Sequence, residues 1–149
     1  MVLRLVLLVV ALAACGARAK SPAAPVRPTS KPLYDRLGGV DAIDDVVKDL
    51  LARVVKDSRI SARFSTTDLA KLERLLTDQI CELTGGPCKY TGRTMKDAHG
   101  PLGIGEAELS AFLEDLSASL GHFNVPKAEQ DELMKKLATM HDDIVGSKS

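Results

Sequence analysis

The chain has 149 residues, with 20 lysines plus arginines against 20 aspartates plus glutamates. That balance excludes a strongly basic nucleic-acid face or a polybasic membrane surface. The aromatic residues are Tyr34, Phe64, Tyr90, Phe112 and Phe123, with no tryptophan. Aromatics usually supply the largest single burials, so either aliphatic packing suffices here or something else fills the middle.

The first element in chain order is an apolar run at residues 5–14, LVLLVVALAA, behind one early charge, Arg4. It reads as the apolar region of a secretory signal (residues 1–14), too short to span a bilayer stably. The run ends in Leu12-Ala13-Ala14-Cys15 and resembles the lipobox of bacterial lipoproteins, which implies a mature chain beginning at a lipidated Cys15. The alternative is an ordinary export signal in which Cys15 is incidental. Two or more acyl chains anchor a protein stably, so the expected location is exported and membrane-tethered, on the periplasmic or cell-surface side. Residues 15–32 carry four prolines and read as an extended, solvated tether. What remains, residues 33–149, is one domain of about 115 residues, large enough to fold alone.

From residue 33 onward the strong patterns have the helical period. Asp41 can cap a first long helix whose stripe is Ile43, Val46, Val47, Leu50, Leu51 and Val54. A short turn around residues 58–64 follows. Thr67 or Asp68 can begin a second helix with Leu69, Leu72, Leu76, Ile80 and Leu83 inward, ended by Gly85-Gly86-Pro87. A third helix over residues 106–120 rests on Leu109, Phe112, Leu113, Leu116 and Leu120. Pro126 suits the first turn of a fourth, with Leu133, Leu137, Met140 and Ile144 on one face. No segment alternates with period two. The fold class is all-α.

Cysteine usage adds one candidate feature. Setting Cys15 aside leaves Cys81 and Cys88, seven apart. In an oxidising compartment they can close a short loop; otherwise Cys81 is a buried small side chain and Cys88 a loop thiol.

Residues 85–105 do not suit a plain helical bundle. They hold six glycines and two prolines between two good helices, and connections that long inside a compact domain are usually functional. The segment contains His99 beside Met95, Leu102 and Ile104, with a single helical turn at residues 95–98. His122 and His141 lie near helix ends, where an imidazolium helps a helix terminus. His99, standing alone, reads either as a satisfied core histidine or as a ligand. No second histidine or cysteine stands near it to complete a zinc site, whereas haem brings four ligands of its own.

Leu33-Tyr34-Asp35-Arg36-Leu37-Gly38-Gly39, Arg63-Phe64, Gly85-Gly86-Pro87, Tyr90-Thr91-Gly92, Met95-Lys96-Asp97-Ala98-His99 and Gly103-Ile104 occur in that order. This ordered set, spanning residues 33 to about 145, resembles a group 1 truncated haemoglobin. The resemblance implies a two-over-two helical sandwich around haem b, with His99 as the proximal iron ligand. Phe64 matches the family's phenylalanine that packs on the porphyrin. Leu72, Leu76, Tyr90, Met95, Ile104, Leu109 and Phe112 would supply further haem contacts, each also explicable as core packing. A porphyrin would also account for the shortage of aromatic side chains.

Relatives often carry a tyrosine on the first long helix and glutamines on the second that hydrogen-bond to bound dioxygen. The matching positions here are Leu51, Leu72 and Leu76, all apolar, with Gln79 one turn further on. Leucine offers a polar gas no donor, which implies weaker retention of dioxygen with carbon monoxide little affected. Gln79 either swings inward or stays at the solvent edge. The implied function is reversible binding of a diatomic gas (O2, NO or CO). Nothing marks a flavin or nicotinamide domain, so any turnover needs an external electron donor. The rival readings are a nitric-oxide dioxygenase or peroxide-consuming haem enzyme and, in another class, a haem-free helical lipoprotein serving as an adaptor.

Overall fold

The structure, a computed structural model, describes residues 31–146. The expected signal peptide, Cys15 and nearly all of the tether lie outside the described residues. Among the described residues every regular element is helical and no strand occurs.

The chain opens on α1 (Leu33–Leu37), a single short turn ended by Gly38 at φ 100°. α2 (Gly39–Val54) follows directly. Two successive glycines at positive φ make this corner, since Gly39 sits at φ 83°. The first long helix therefore begins two residues before Asp41, which lies in its first turn rather than at its cap. Its expected stripe is buried throughout. A 3-10 turn at Ser61–Phe64 leads to α3 (Leu69–Leu83), whose first turn is closed by Asp68 accepting from the Lys71 N–H at 3.0 Å.

α4 (Met95–His99) is capped by Thr94, which accepts from the Asp97 N–H at 3.1 Å. A 3-10 turn at Gly100–Leu102 follows. α5 (Glu106–His122) starts where the Glu108 carboxylate reaches back to the Gly105 N–H at 3.0 Å. α6 (Lys127–Ala138) starts after Pro126. The expected fourth helix is broken: Met140 separates α6 from a last short turn, α7 (His141–Ile144).

α2 lies at the centre, packed on α3 to one side and α5 to the other, while α6 closes against α1 and α5. Leu50 of α2, Leu116 and Leu120 of α5 and Leu133 of α6 are almost wholly buried. Each contributes on the order of 1.5–3 kcal/mol of transfer free energy. Thr77 crosses from α3 to donate to Asp44 on α2 at 3.1 Å. Arg36 ties α1 to α6 through Glu129 at 3.1 Å and through Glu132. The long helices are thus clamped to one another. α4 stands apart from that core and packs chiefly on α7 and on the turn that follows it.

Candidate functional site

A cavity of about 230 Å³ opens beside this core, with α3 on one side and α4 and α7 on the other. Leu72, Leu76 and Gln79 face it from α3, one helical turn apart, so a single stripe supplies that wall. Met95 and His99 face it from α4, and Ile104 from the chain just beyond. α5 contributes Leu109, Phe112 and Leu113, and Phe64 comes from the turn before α3. Leu137, Met140 and Ile144 form the remaining wall, continuing the apolar face read along the fourth helix across the break.

The polar side chains on this wall have defined partners. His99 Nδ1 lies 2.9 Å from the Met95 carbonyl. A carbonyl only accepts, so Nδ1 carries a proton, and in the neutral imidazole Nε2 is the nitrogen that keeps a lone pair. Nε2 makes no hydrogen bond within the described residues. The Gln79 amide donates towards the Met95 sulfur at 3.2 Å and the Met140 sulfur at 3.5 Å, weak acceptors both. Gln79 is therefore turned inward.

Two charged clusters edge the cavity. Arg63 holds the Glu108 carboxylate with both arms, Nε to Oε1 at 2.6 Å and Nη2 to Oε2 at 3.1 Å. Its third nitrogen, Nη1, donates to the Leu102 carbonyl at 2.8 Å. Arg63, and after it the Gly105 N–H, hold the Glu108 carboxyl below the usual glutamate range. His141 Nδ1 meets Asp142 at 2.9 Å and Nε2 meets Glu106 at 3.0 Å. Those carboxylates, Asp142 first, push the imidazole above its ordinary 6.5. Arg63 thus joins the turn before α3 to the chain on the far side of His99, and His141 joins α7 to the start of α5.

Two of the expected site residues lie off the cavity wall. Tyr90 turns back on its own loop: its hydroxyl donates to the Arg93 carbonyl at 2.8 Å and its ring covers Gly92. Leu51 is only 4% exposed and belongs to the core cluster, against which the wall residues Leu72, Leu76 and Phe112 pack. Cys81 and Cys88 are joined in a disulfide, their Cα atoms 5.7 Å apart, away from the cavity.

Sequence reasoning missed Ile60, Arg63, Glu108, Ala138 and His141 as wall residues, and read Leu113, Leu137, Met140 and Ile144 only as the apolar faces of helices. Gly105 followed three residues later by Glu108 has the spacing of a helix start, which was a signal for Glu108. Nothing in the local sequence marks the pairing of Arg63 with Glu108 across 45 positions.

Among the described residues no group of three or more histidine, cysteine, aspartate or glutamate side chains converges to hold a bare metal ion. A metal at His99 would have to arrive with most of its own ligands. The wall suits an apolar group that does so: it is lined by leucine side chains, Phe64 and Phe112, with the imidazole of His99 among them. Haem meets both conditions.

The comparisons agree with that chemistry. The family model for bacterial-like globins matches residues 32–146. A group 1 truncated haemoglobin of Tetrahymena pyriformis is 30% identical over 114 residues, 76% of this chain and 94% of the relative. One from Synechocystis is 36% identical over 99 residues, 64% of this chain and 80% of the relative. The Tetrahymena pyriformis truncated haemoglobin in its Fe(III) form superposes with a TM-score of 0.76 at 29% identity, covering 78% of this chain and 100% of that one. A 2/2 haemoglobin from Synechococcus, solved in the cyanomet state with covalently attached haem, gives 0.74 at 28% identity with the same coverage.

Proposed function

This chain belongs to the bacterial-like globin family, and on that premise we propose that it binds haem b through His99 and reversibly holds a diatomic gas at the iron. The observation that carries the assignment is the state of His99. Its Nδ1 is fixed on the Met95 carbonyl, which leaves Nε2 as the ring nitrogen available to a metal on the wall of an apolar cavity. When bound, haem supplies an iron centre with one coordination position left for a gas.

The residues of this chain set the terms of that binding. The carbonyl of Met95 fixes the imidazole's tautomer and ring orientation and raises its basicity towards a metal. Leu72 and Leu76 exclude water and offer no hydrogen to a polar ligand. Gln79 is the one hydrogen-bond donor that α3 turns to the wall, and its present acceptors are two thioethers that it exchanges at little cost for a better one. This arrangement favours binding over turnover, with fast release of dioxygen.

Export with attachment at Cys15 belongs to the same proposal. It is supported by the apolar run at residues 5–14 that ends in Leu12-Ala13-Ala14-Cys15. The Cys81–Cys88 disulfide adds to it, because such bonds persist in oxidising compartments. Any electron donor is then a partner reached outside the cytosol.

Absorption spectra of the wild type and of His99→Ala test the central claim. The wild type is expected to take up haem with a Soret band that shifts on carbon monoxide. His99→Ala is expected to lose the ferrous five-coordinate spectrum, and recover it with added imidazole. A wild type that takes up no haem overturns the assignment, and an unchanged variant spectrum removes His99 as the ligand.

A further inference from the structure

We propose that the Cys81–Cys88 disulfide is the positioning element that seats the His99 segment, so that retention of the cofactor depends on whether the two sulfurs are joined. The proposal rests on the haem reading of the cavity, and adds to it a pair of residues that lies off the cavity wall.

Between Leu83 and Met95 the chain passes through residues 84–94 without a helix. α4 has only five residues, too few to be stable alone, and it packs chiefly on α7 and the following turn. Its position therefore depends on how the connecting segments are attached at each end. Downstream, Arg63 grips the Leu102 carbonyl and Glu108. Upstream, the attachment is the disulfide.

Cys81 sits in the last turn of α3, fully buried at 0% exposure, within the core that α2 and α5 complete. Cys88 lies beyond the glycine turn and is covalently returned to that helix. Past Cys88 a series of short ties leads to His99. The Tyr90 N–H donates to Glu82 at 3.0 Å, the Tyr90 hydroxyl donates to the Arg93 carbonyl, Thr94 caps α4, and His99 Nδ1 bonds Met95. With the sulfurs separated, the remaining links from residues 88–90 to α3 are the Glu82 contacts. Its partner Lys89 is 81% exposed there, and an exposed ion pair holds little. The disulfide is thus the one covalent cross-link from this segment to α3, beside the Glu82 contacts and the weak Gln79–Met95 contact.

Opening it requires two electrons and two protons from an external dithiol. One thiolate attacks the Cys88 sulfur, because Cys81 is buried; the S–S bond breaks, and Cys81 leaves as a thiolate that takes up a proton. The second thiol of the reagent then displaces Cys88, which is protonated in turn, and the reagent leaves as its own disulfide.

The test compares the haem-loaded protein in disulfide form, the same protein treated with dithiothreitol, and Cys88→Ser. Cys88→Ser is measured in the ferric state, which separates the sulfurs from reduction of the iron. Haem transfer to excess apomyoglobin is read as a rate, and amide hydrogen exchange is read on the cofactor-free forms. We expect roughly tenfold or faster haem loss once the loop is open, and loss of protection confined to residues 88–99 while α2 and α5 keep theirs. Equal rates of haem loss overturn the proposal. So does a loss of protection spread evenly over the fold, since the bond would then serve general stability alone. If the disulfide form takes up no haem, the cofactor reading fails by itself, and the exchange pattern still decides whether the bond positions the segment.

Discussion

Gly86 offers a sharp test of how tightly the loop before His99 is packed. It lies between the Tyr34 ring and Cys81. A Cβ placed there would stand 2.6 Å from the Cys81 sulfur and press into the Tyr34 ring. Neither neighbour yields easily. The sulfur is bonded to Cys88 inside the core, and the Tyr34 hydroxyl accepts from the Val40 N–H at 3.1 Å. Gly86 is not among the glycines at positive φ, so alanine meets no backbone penalty there. It would instead gain about 0.4–1 kcal/mol by stiffening the unfolded chain. Overpacking costs about 1–3 kcal/mol. The expected net loss for Gly86→Ala is therefore roughly 1–2 kcal/mol, or several degrees in Tm for a domain of this size. Thermal unfolding followed by circular dichroism, on cofactor-free protein, measures it. Gly100→Ala is the matched control: its Cβ meets nothing within 4 Å and its φ is −50°, so it should melt with the wild type or slightly above it. A Gly86→Ala protein that melts with its control would refute the argument that Tyr34 and the disulfide form a rigid pair.

Other outcomes follow from the cavity and its edge. Leu72→Gln places a donor on the α3 wall and should slow dioxygen release by about 2–10-fold, leaving carbon monoxide release nearly unchanged in flash photolysis. The Asp142 and Glu106 partners raise the His141 pKa, so its tie between α5 and α7 is fully present below pH 6.5 and is lost as pH rises through the raised value. Exchange of the Val145 amide, which bonds the His141 carbonyl, should accelerate over that rise, after correction for intrinsic chemistry, and His141→Gln should remove the step. Arg63 lowers the Glu108 pKa, and this pair has the opposite sign. Its contribution is present above the ordinary value of 4.5 and disappears as pH falls through the lowered one. Acid unfolding curves of the wild type and Glu108→Gln should therefore differ at neutral pH and converge in acid.

The long helices were legible because each carries its own instruction. The stripe from Ile43 to Val54 and the Asp68 cap are local patterns that a helix must satisfy wherever it sits. α1 was less so, because five residues are too few to show a period. The break between α6 and α7 has no proline or glycine to announce it, and the reading of one continuous helix through Met140 followed from that silence. Within the site, the leucines of α3 and His99 could be named because their spacing and their ordered resemblance place them. That Tyr90 and Leu51 lie off the cavity wall has no signal in the local sequence. The loop's return on Gly92 and the closure of helices over Leu51 are tertiary facts. His141 was passed over for the same reason, since its partner Glu106 lies 35 positions away.

The short turn at His141–Ile144 has a consequence for when the site comes into being. It bears part of the cavity wall and packs against α4, which carries His99. A ribosome adds about 5–20 residues each second and releases the chain from its amino end. The leucines of α3 emerge first and His99 some twenty residues after them, yet the wall behind the imidazole is incomplete until residue 144 is free. Cofactor capture is thus a property of the finished polypeptide.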